Sequence, residues 1–175
     1  YIFWFGILLY CFYSQWNIPS ISIKNSIFFI AGMLKWFNFS HYFHKQIHGP
    51  PEQFVGFWRW WHFNGHVYHH ICPYDYNRIV IHPWIASVAI VPTFIIVNIL
   101  QYVHLVPTDF VSLFISGLIL GHMYIETSHY SMHYKTFLTP YVKKLKYHHM
   151  SHHLKAPSRK FAYFHPIEDK IKQTN

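Results

Sequence analysis

Long apolar runs separated by short polar segments dominate the pattern of this chain. The clearest run covers residues 79–105, and residues 85–100 within it are nearly all apolar. A second run follows at 110–133, after a turn at 106–109. A helix needs about 20 apolar residues to cross a bilayer, so each run is long enough. Two consecutive spans form a hairpin, which leaves and returns to the same side of the membrane.

Two further apolar segments precede this hairpin. Residues 1–13 are apolar throughout, but they are too few for a full span and predict a truncated span or an interfacial anchor. A turn is expected at 15–22. The run at 23–39 leads into the first histidines, and the Gly-Pro-Pro sequence at 49–51 ends that helix. We therefore predict an all-α integral membrane bundle of about four transmembrane helices, of which the first is either truncated or an interfacial anchor.

The polar segments carry histidines at helical spacing. Residues 53–70 predict one aromatic-rich helix with a stripe of histidines on a single face, since residues three and four apart share a face. Histidine is the commonest metal ligand, and pairs four apart aim both nitrogens at one point. The clusters are His44 and His48; His62, His66, His69 and His70; His129 and His133; and His149, His152 and His153.

One such pair alone would more often be structural than metal-binding. Four clusters in 175 residues are difficult to explain that way, so we interpret them as one polyhistidine metal centre. The isolated histidines are taken as structural, and His41 and His62 stay ambiguous. The isolated ones are His82, His104, His122 and His165.

Composition narrows the class of protein and the metal chemistry. The chain is 52% hydrophobic and only 11% charged, which favours a membrane protein over a soluble one. Its six acidic residues are too few for a carboxylate-rich di-iron site, so any metal is held mainly by nitrogen. Asp75, Glu126 and Asp169 are expected behind the ligands, orienting imidazole N–H groups. For each acid, a local cap or salt bridge is the alternative, and Asp75 is expected to pair with Arg78.

Charge indicates the orientation in the membrane. The formal charge is +8, and nine of the fourteen Lys and Arg follow residue 134. With such long apolar runs, this excess favours a membrane surface over nucleic acid and places the histidine face in the cytosol. We predict one domain over 1–175, with a histidine-rich helical cytosolic cap built from about 40–78 and 126–170. Residues 141–153 predict a basic amphipathic helix that faces anionic headgroups or solvent.

Three segments carry a resemblance to a known family. The run 66–83 resembles the HxxHHxxPxDxxRxVxxP signature of the membrane fatty acid 2-hydroxylases. The run 124–133 resembles their YDxTHYxxH segment, and 145–153 resembles their LKxxHxxHH segment. The order and the gaps also agree, from about residue 37 to residue 169.

The resemblance implies a membrane oxygenase with two metal ions in a histidine-rich cytosolic cap on four transmembrane helices. Such proteins insert one oxygen atom from O2 at C2 of a fatty acyl chain, usually for sphingolipids. A separate cytochrome b5-type electron donor is implied, and the endoplasmic reticulum is the expected membrane, with a mitochondrial membrane as the alternative. Iron is expected, although zinc accepts the same ligands. The ligands implied are His44, His48, His66, His69, His70, His129, His133, His149, His152 and His153.

The chain departs from the family pattern in three places. The usual first pair, HxxxxH, would put a ligand at Phe43, whereas His44 gives the HxxxH spacing of the sterol desaturase relatives. Either His44 serves as the ligand or this metal site is weakened. Glu126 replaces an Asp. The GFG element reads Lys-Phe-Ala at 160–162, and the following WD reads Glu-Asp at 168–169, which puts the identity of the substrate in doubt.

Two alternative functions therefore stay open beside the hydroxylase. The first is a different oxidation on the same scaffold, such as desaturation of a sterol or an acyl chain. The second is a degenerate, non-catalytic member that serves as a structural subunit of a membrane complex, with other subunits as its partners.

Overall fold

The computed structural model describes residues 2–14, 23–81, 83–135 and 139–175, and within these ranges the chain is all-α, as predicted. The predicted turn at 15–22 and the isolated His82 lie outside the described residues. The helices are α1 (Ile2–Ser14), α2 (Ile23–Ile47), α3 (Gly56–Trp61), α4 (Tyr68–Ile71), α5 (Pro83–Tyr102), α6 (Thr108–Tyr134), α7 (Pro140–Lys155) and α8 (Ile167–Ile171).

The chain divides into two compact units. Unit 1 comprises residues 1–37 and 82–124, and unit 2 comprises residues 38–81 and 125–175. The ranges of unit 2 are a few residues wider than the cap expected from the sequence. Helices α2 and α6 each contribute residues to both units, so the division falls within helices rather than in linkers.

Unit 1 exposes apolar side chains along its helices. Within α5, the side chains of Val88, Ile96 and Ile99 are each more than half exposed. Exposing such apolar surface to water costs free energy, and contact with lipid removes that cost. Among the described helices, two are long and apolar enough to cross a bilayer, over Trp84–Tyr102 and Asp109–Tyr134. The 13 residues of α1 are fewer than a span needs, as the sequence predicts. Unit 1 therefore has the outward-facing apolar surface of a membrane protein.

Glycines allow α2 and α6 to approach closely within unit 1. A Cβ atom added to Gly117 would overlap the carbonyl oxygen of Phe29, and one added to Gly32 would overlap that of Phe114. Gly121 lies four residues after Gly117, which completes a G-x-x-x-G sequence. Small residues at this spacing let the backbones of two membrane helices come into contact.

The helix predicted over 53–70 is confirmed only from Gly56 onward, and it is not a regular α-helix. A 3-10 turn at Pro51–Gln53 is followed by an extended Val55, and α3 begins only at Gly56. A π-helical segment, His62–Val67, then separates α3 from α4. A π turn has about one residue more than an α turn. The register of the histidines before and after this segment therefore differs from that of a regular α-helix.

The segment after α6 places the last histidines. Helix α7 begins at Pro140, where the Thr139 hydroxyl accepts a hydrogen bond from the backbone N–H of Val142 at 3.4 Å. It ends at Lys155, two residues before Pro157, in agreement with the sequence prediction. Residues 156–175 form a loop and the short helix α8, and this C-terminal segment packs within unit 2.

Candidate metal centre

The predicted ligand histidines come together in unit 2 as two groups. Within each group, one side-chain nitrogen from every member lies within 4.8 Å of those of the others, and among the described residues both groups consist of histidines alone. We call the first group cluster A and the second cluster B. Cluster A contains His69, His129, His133, His149 and His153, and cluster B contains His44, His48, His70 and His152.

Neighbouring residues of the sequence belong to different clusters. His69 lies in cluster A and the adjacent His70 in cluster B. On α7, His149 and His153 contribute to cluster A, whereas His152 contributes to cluster B. The motifs at 69–70 and 149–153 therefore serve both clusters, whereas the pairs His44/His48 and His129/His133 each stay within one. The clusters adjoin each other, since the rings of His70 and His153 stack at a centroid distance of 4.2 Å.

The distances in cluster A fit one metal ion. The Nε2 atom of His133 lies 3.2 Å from Nε2 of His129 and 3.0 Å from Nε2 of His149, and Nε2 of His153 also lies 3.0 Å from Nε2 of His149. Two adjacent ligands of an ion with metal–nitrogen bonds of about 2.1 Å are separated by about 3 Å. Neutral imidazoles that meet nitrogen to nitrogen can share only one proton per pair, so such a cluster favours a cation at its centre.

In cluster B, buried nitrogens without hydrogen-bond partners indicate a site for a metal ion. The Nε2 atoms of His44 and His48 lie 3.3 Å apart, and those of His70 and His152 are buried without a hydrogen-bond partner. A buried nitrogen left in this way costs about 1–3 kcal/mol, which a coordinated ion offsets. His66 adjoins cluster B, with its Nε2 atom 2.6 Å from Nε2 of His48.

In the first histidine pair, His44 rather than Phe43 joins the histidine cluster. His44 lies in cluster B, and its ring is in contact with those of His48 and His152 at centroid distances of 5.0 and 4.7 Å. Phe43 instead packs against the rings of Phe39 and Trp61. The spacing of four residues in α2 thus brings both histidines into the same cluster.

Backbone carbonyls orient three of these imidazoles. His44 donates from Nδ1 to the carbonyl oxygen of Phe161 at 2.8 Å, and His152 donates from Nδ1 to that of Arg159 at 2.5 Å. In cluster A, Nδ1 of His129 lies 3.1 Å from the carbonyl oxygen of Ile79. A carbonyl only accepts, so the proton stays on Nδ1 and the lone pair of Nε2 points into the cluster.

Burial keeps the imidazoles of the two clusters neutral. Burial, and then the neighbouring histidines, lower the pKa of His48 to about 2. The same two causes lower the pKa values of His69 and His70 to about 3. At neutral pH these side chains therefore carry free lone pairs, which is the form that binds a metal ion.

Tyr163 contacts both clusters and was not predicted from the sequence. Its ring stacks on His44 of cluster B at 4.5 Å, and it meets the rings of His129 and His149 of cluster A at 5.0 and 5.5 Å. Burial, and then the nearby Glu126, raise the pKa of its phenol, which stays protonated. Tyr163 lies ten residues after His153, the last of the predicted ligands, and no spacing in the sequence marks it.

The three predicted acids occupy different environments. Asp75 accepts a hydrogen bond from the backbone N–H of Asn77 at 3.0 Å and caps the 3-10 turn Tyr76–Arg78. Its expected pairing with Arg78 does not form, because that guanidinium donates to the carbonyl oxygen of Asn64 at 3.0 Å. Glu126 is buried and accepts from the backbone N–H of Ile81 at 2.8 Å.

Asp169 is buried among hydrogen-bond donors, two of them on histidines. The Nε2 atom of His41 lies 3.1 Å from its carboxylate, and that of His148 lies 2.7 Å from it. The other ambiguous histidine, His62, donates from Nε2 to the carbonyl oxygen of Ile47 at 2.6 Å. In unit 1, His122 packs edge-on against Trp4 and Trp36. These histidines have structural partners outside the two clusters.

The sequence is similar to those of known fatty acid hydroxylases. The fatty acid 2-hydroxylase of Rattus norvegicus is 27% identical over 139 residues, which cover 77% of this chain and 36% of the relative. The ceramide very long chain fatty acid hydroxylase scs7 of Schizosaccharomyces pombe is 27% identical over 159 residues, covering 88% of this chain and 43% of the relative. The chain is related to the fatty acid 2-hydroxylases. The resemblance indicated by the histidine motifs is therefore confirmed.

A solved structure shows the same fold. The structure of full-length scs7p, in which only the hydroxylase domain is visible, matches with a TM-score of 0.82 and 21% identity. The match covers 99% of this chain and 64% of that one. No family model matches the chain. This chain spans between a third and two thirds of the length of the curated fatty acid 2-hydroxylases and dihydroceramide fatty acyl 2-hydroxylases it matches.

Proposed function

We propose that this chain forms the oxygenase domain of a membrane fatty acyl hydroxylase, which acts at C2 of the acyl chain in sphingolipid metabolism. The observation that carries the proposal is the pair of adjoining histidine clusters, whose nitrogens lie within 4.8 Å of one another in each cluster. The similarity to fatty acid and ceramide hydroxylases supports the choice of reaction.

Each cluster is proposed to hold one iron ion. The five histidines of cluster A bind the first ion and the four of cluster B bind the second, with His66 as the tenth ligand beside cluster B. A pair of iron ions bound there would supply the redox chemistry by which O2 oxidises an unactivated C–H bond. Zinc fits the same ligands but has no redox chemistry, so it would yield an inactive protein.

The chain's own residues prepare this site in three ways. The carbonyl groups of Ile79, Arg159 and Phe161 hold imidazoles so that their Nε2 atoms converge. Burial keeps the imidazoles neutral, so that the ligands add no charge of their own. The rings of Phe161 and Tyr163 are nearly fully buried and pack against the clustered histidines, which places apolar surface on that side of the site.

The reaction also requires an electron donor, and the charge of the chain bears on its location. A separate cytochrome b5-type protein supplies the two electrons that accompany insertion of one oxygen atom. Nine of the fourteen Lys and Arg follow residue 134, which favours a cytosolic position for this region, in the endoplasmic reticulum. A mitochondrial membrane is the alternative. The whole chain, 1–175, then acts as one oxygenase domain that contains both compact units.

The test of function is lipid analysis in cells that lack their own acyl 2-hydroxylase. Cells expressing the chain are expected to accumulate 2-hydroxy acyl ceramides, measured by mass spectrometry, with 18O incorporated from 18O2. A matched variant, His133→Ala, removes a ligand of cluster A and should abolish the product. New double bonds without 2-hydroxy acyl groups would instead identify a desaturase, an outcome that the HxxxH spacing of His44 and His48 makes worth testing.

The test of the cofactor is metal analysis of the purified protein. Mass spectrometry for metals is expected to find two ions per chain, and iron in the active preparation. Purified protein in proteoliposomes should consume O2 only when a reduced cytochrome b5 is supplied. A chain that binds fewer than two ions and assembles stably with other membrane subunits would support the structural-subunit alternative and contradict the hydroxylase.

A further inference from the structure

The carboxylate of Asp169 is the centre of a hydrogen-bond network in unit 2. Asp169 is fully buried, and five groups lie within hydrogen-bond distance of its two oxygens. Burial alone would raise its pKa, but the bonds from His148, and then from His41 and Thr174, hold that pKa below its usual range. The donors are His41 Nε2 at 3.1 Å, His148 Nε2 at 2.7 Å, Phe161 N at 2.9 Å, Ala162 N at 3.1 Å and Thr174 Oγ1 at 2.7 Å.

Two of these donors belong to the loop that orients cluster B. The backbone N–H groups of Phe161 and Ala162 bond Asp169, and the carbonyl of the same Phe161 holds His44 at 2.8 Å. Two residues earlier, the carbonyl of Arg159 holds His152 at 2.5 Å. His44 and His152 are both members of cluster B.

The residue between these two carbonyls is held in a strained conformation. Lys160 has φ = 63°, in the left-handed region that residues other than glycine rarely adopt. Its backbone N–H donates to the carbonyl oxygen of Thr174 at 2.7 Å, and Thr174 in turn donates from its N–H and its hydroxyl to Asp169. Asp169 therefore secures the loop at two consecutive residues, through Thr174 at Lys160 and directly at Phe161.

Cluster A does not take its carbonyl partner from this loop. His129 is oriented by the carbonyl of Ile79, in a different segment of the chain. Tyr163 follows the loop and touches both clusters, but only through its ring, and a ring contact does not select which nitrogen carries the proton.

We propose that Asp169 is a positioning residue for the metal site of cluster B and not for that of cluster A. It acts by holding the loop 159–162, whose carbonyls direct the Nε2 atoms of His44 and His152 toward one point. The inference rests on the proposed binding of two metal ions. It goes further because it makes the metal affinity of one site depend on one carboxylate. That carboxylate bonds no ligand imidazole.

The experiment compares metal binding by Asp169→Asn and Glu168→Gln. The Asn side chain keeps the shape of Asp but replaces one acceptor oxygen by an NH2 group, which faces N–H donors. Glu168→Gln is the matched control, because Glu168 pairs with Lys172 at 3.8 Å and is not among the donors and acceptors that hold the loop. Both proteins are purified from the full chain, stripped with a chelator and titrated with Co2+, whose visible absorption reports the ligand geometry of each site.

The expected result is a loss confined to one site. Wild type and Glu168→Gln should bind two ions, whereas Asp169→Asn should bind one with unchanged affinity and the other about 10- to 100-fold more weakly. Adding His133→Ala to Asp169→Asn should remove the remaining tight site, and adding His152→Ala should not. Two tight sites in Asp169→Asn, or equal weakening of both sites, would overturn the inference.

A second variant covers the case in which Asp169→Asn does not fold. Thr174→Val removes one donor to Asp169 and leaves the carboxylate and all histidines in place. It should weaken the second ion several-fold and leave the first unchanged, and equal affinities for wild type and Thr174→Val would overturn the inference. If wild type itself binds no metal, the proposed function fails instead, so the two failures are distinguishable.

Discussion

The two compact units have opposite arrangements of apolar and polar side chains. In unit 1, apolar residues of α5 such as Ile96 are 57% exposed, and close packing of α2 on α6 depends on glycines. In unit 2, polar imidazoles lie inside, and His152 has no exposed surface. The difference shows that the stability of each unit has a different source. Unit 1 relies on helix packing and an apolar surrounding. Unit 2 depends on the hydrogen bonds or metal ions that satisfy its buried imidazole nitrogens.

Without metal, the buried imidazole nitrogens of unit 2 lower its free energy of unfolding. Buried side-chain nitrogens of His69, His70 and His152 have no hydrogen-bond partner. Each such group costs about 1–3 kcal/mol, comparable to a sizeable part of the stability of a domain. We therefore expect metal and pH to act on unit 2, and packing substitutions to act on unit 1. Four predictions follow that comparison, from the largest expected effect to the smallest.

Removing the central histidine of cluster A should have the largest effect. His133→Ala deletes the imidazole whose Nε2 atom lies within 3.2 Å of two others. Loss of a residue that hydrogen-bonds a metal ligand typically lowers metal affinity or activity by about 10- to 100-fold. Loss of the ligand itself should therefore lower the amount of 2-hydroxy acyl product by more than about 100-fold. The control is His104→Asn in unit 1, at an exposed position with φ = 59° that Asn tolerates. Full activity of His133→Ala would contradict the assignment of cluster A.

Acid should destabilise the metal-free protein. The pKa of His48 is lowered to about 2 and those of His69 and His70 to about 3, whereas unfolded histidine titrates near pH 6.5. Below pH 6.5 the unfolded chain binds protons that the folded chain does not, so stability is fully present above that pH. It falls by roughly 1.4 kcal/mol per pH unit for each such histidine.

The measurement is the melting temperature of chelator-treated protein at pH 7, 6 and 5. We expect a progressive decrease, and a smaller pH dependence in His48→Gln, which lacks one of the depressed groups. A melting temperature that does not change between pH 7 and pH 5 would show that the buried imidazoles do not limit the stability of unit 2.

A methyl group at the helix crossing of unit 1 should lower stability without affecting metal. Gly117→Ala places a Cβ atom against the backbone of Phe29 and should cost about 1–3 kcal/mol through overpacking. Gly6→Ala in α1 is the matched control, since its Cβ would meet nothing within 4 Å. Thermal unfolding in detergent and metal content per chain are measured together. Loss of metal in folded Gly117→Ala would contradict the separation of roles between the units.

The smallest effect is expected at Lys160. Lys160→Ala and Lys160→Gly both lose the hydrogen bond from Nζ to the Ser151 hydroxyl at 2.7 Å, but only glycine relieves the φ of 63°. We expect the glycine variant to be more stable than the alanine variant by about 1 kcal/mol, measured by thermal unfolding. The resemblance to the hydroxylases puts a glycine at this position. Equal stability would indicate that the loop relaxes in both variants.

Much of the architecture is encoded locally and could be predicted. The apolar runs predicted α5 and α6, and the Gly-Pro-Pro sequence at 49–51 predicted that α2 ends before it, as observed at Ile47. Four-residue spacing on one helix also predicted that pairs such as His129 and His133 meet. Such features depend on hydrophobic length and helical periodicity, which a sequence displays directly.

The helix predicted over 53–70 shows where local periodicity is insufficient. Counting at α-helical spacing put His62 on the same face as His66 and His69. The π turn at His62–Val67 changes that register, and His62 donates to the carbonyl of Ile47 instead. Residues with ordinary helix propensity adopt either geometry, so tertiary contacts make the choice.

By itself, the sequence determined the helical class, the apolar spans, the relationship to the fatty acid 2-hydroxylases and the set of histidines that gather in unit 2. Only the tertiary structure decided how those histidines divide, with His69 in cluster A and its neighbour His70 in cluster B. The sequence placed Asp169 behind the ligands, but the structure alone showed that it bonds the backbone of Phe161 and Ala162, and that the carbonyl groups of Arg159 and Phe161 hold imidazoles of cluster B. The physical reason is that every residue has a carbonyl, so a sequence cannot mark the ones that orient a ligand, and the direction of each imidazole is set by contacts between distant segments.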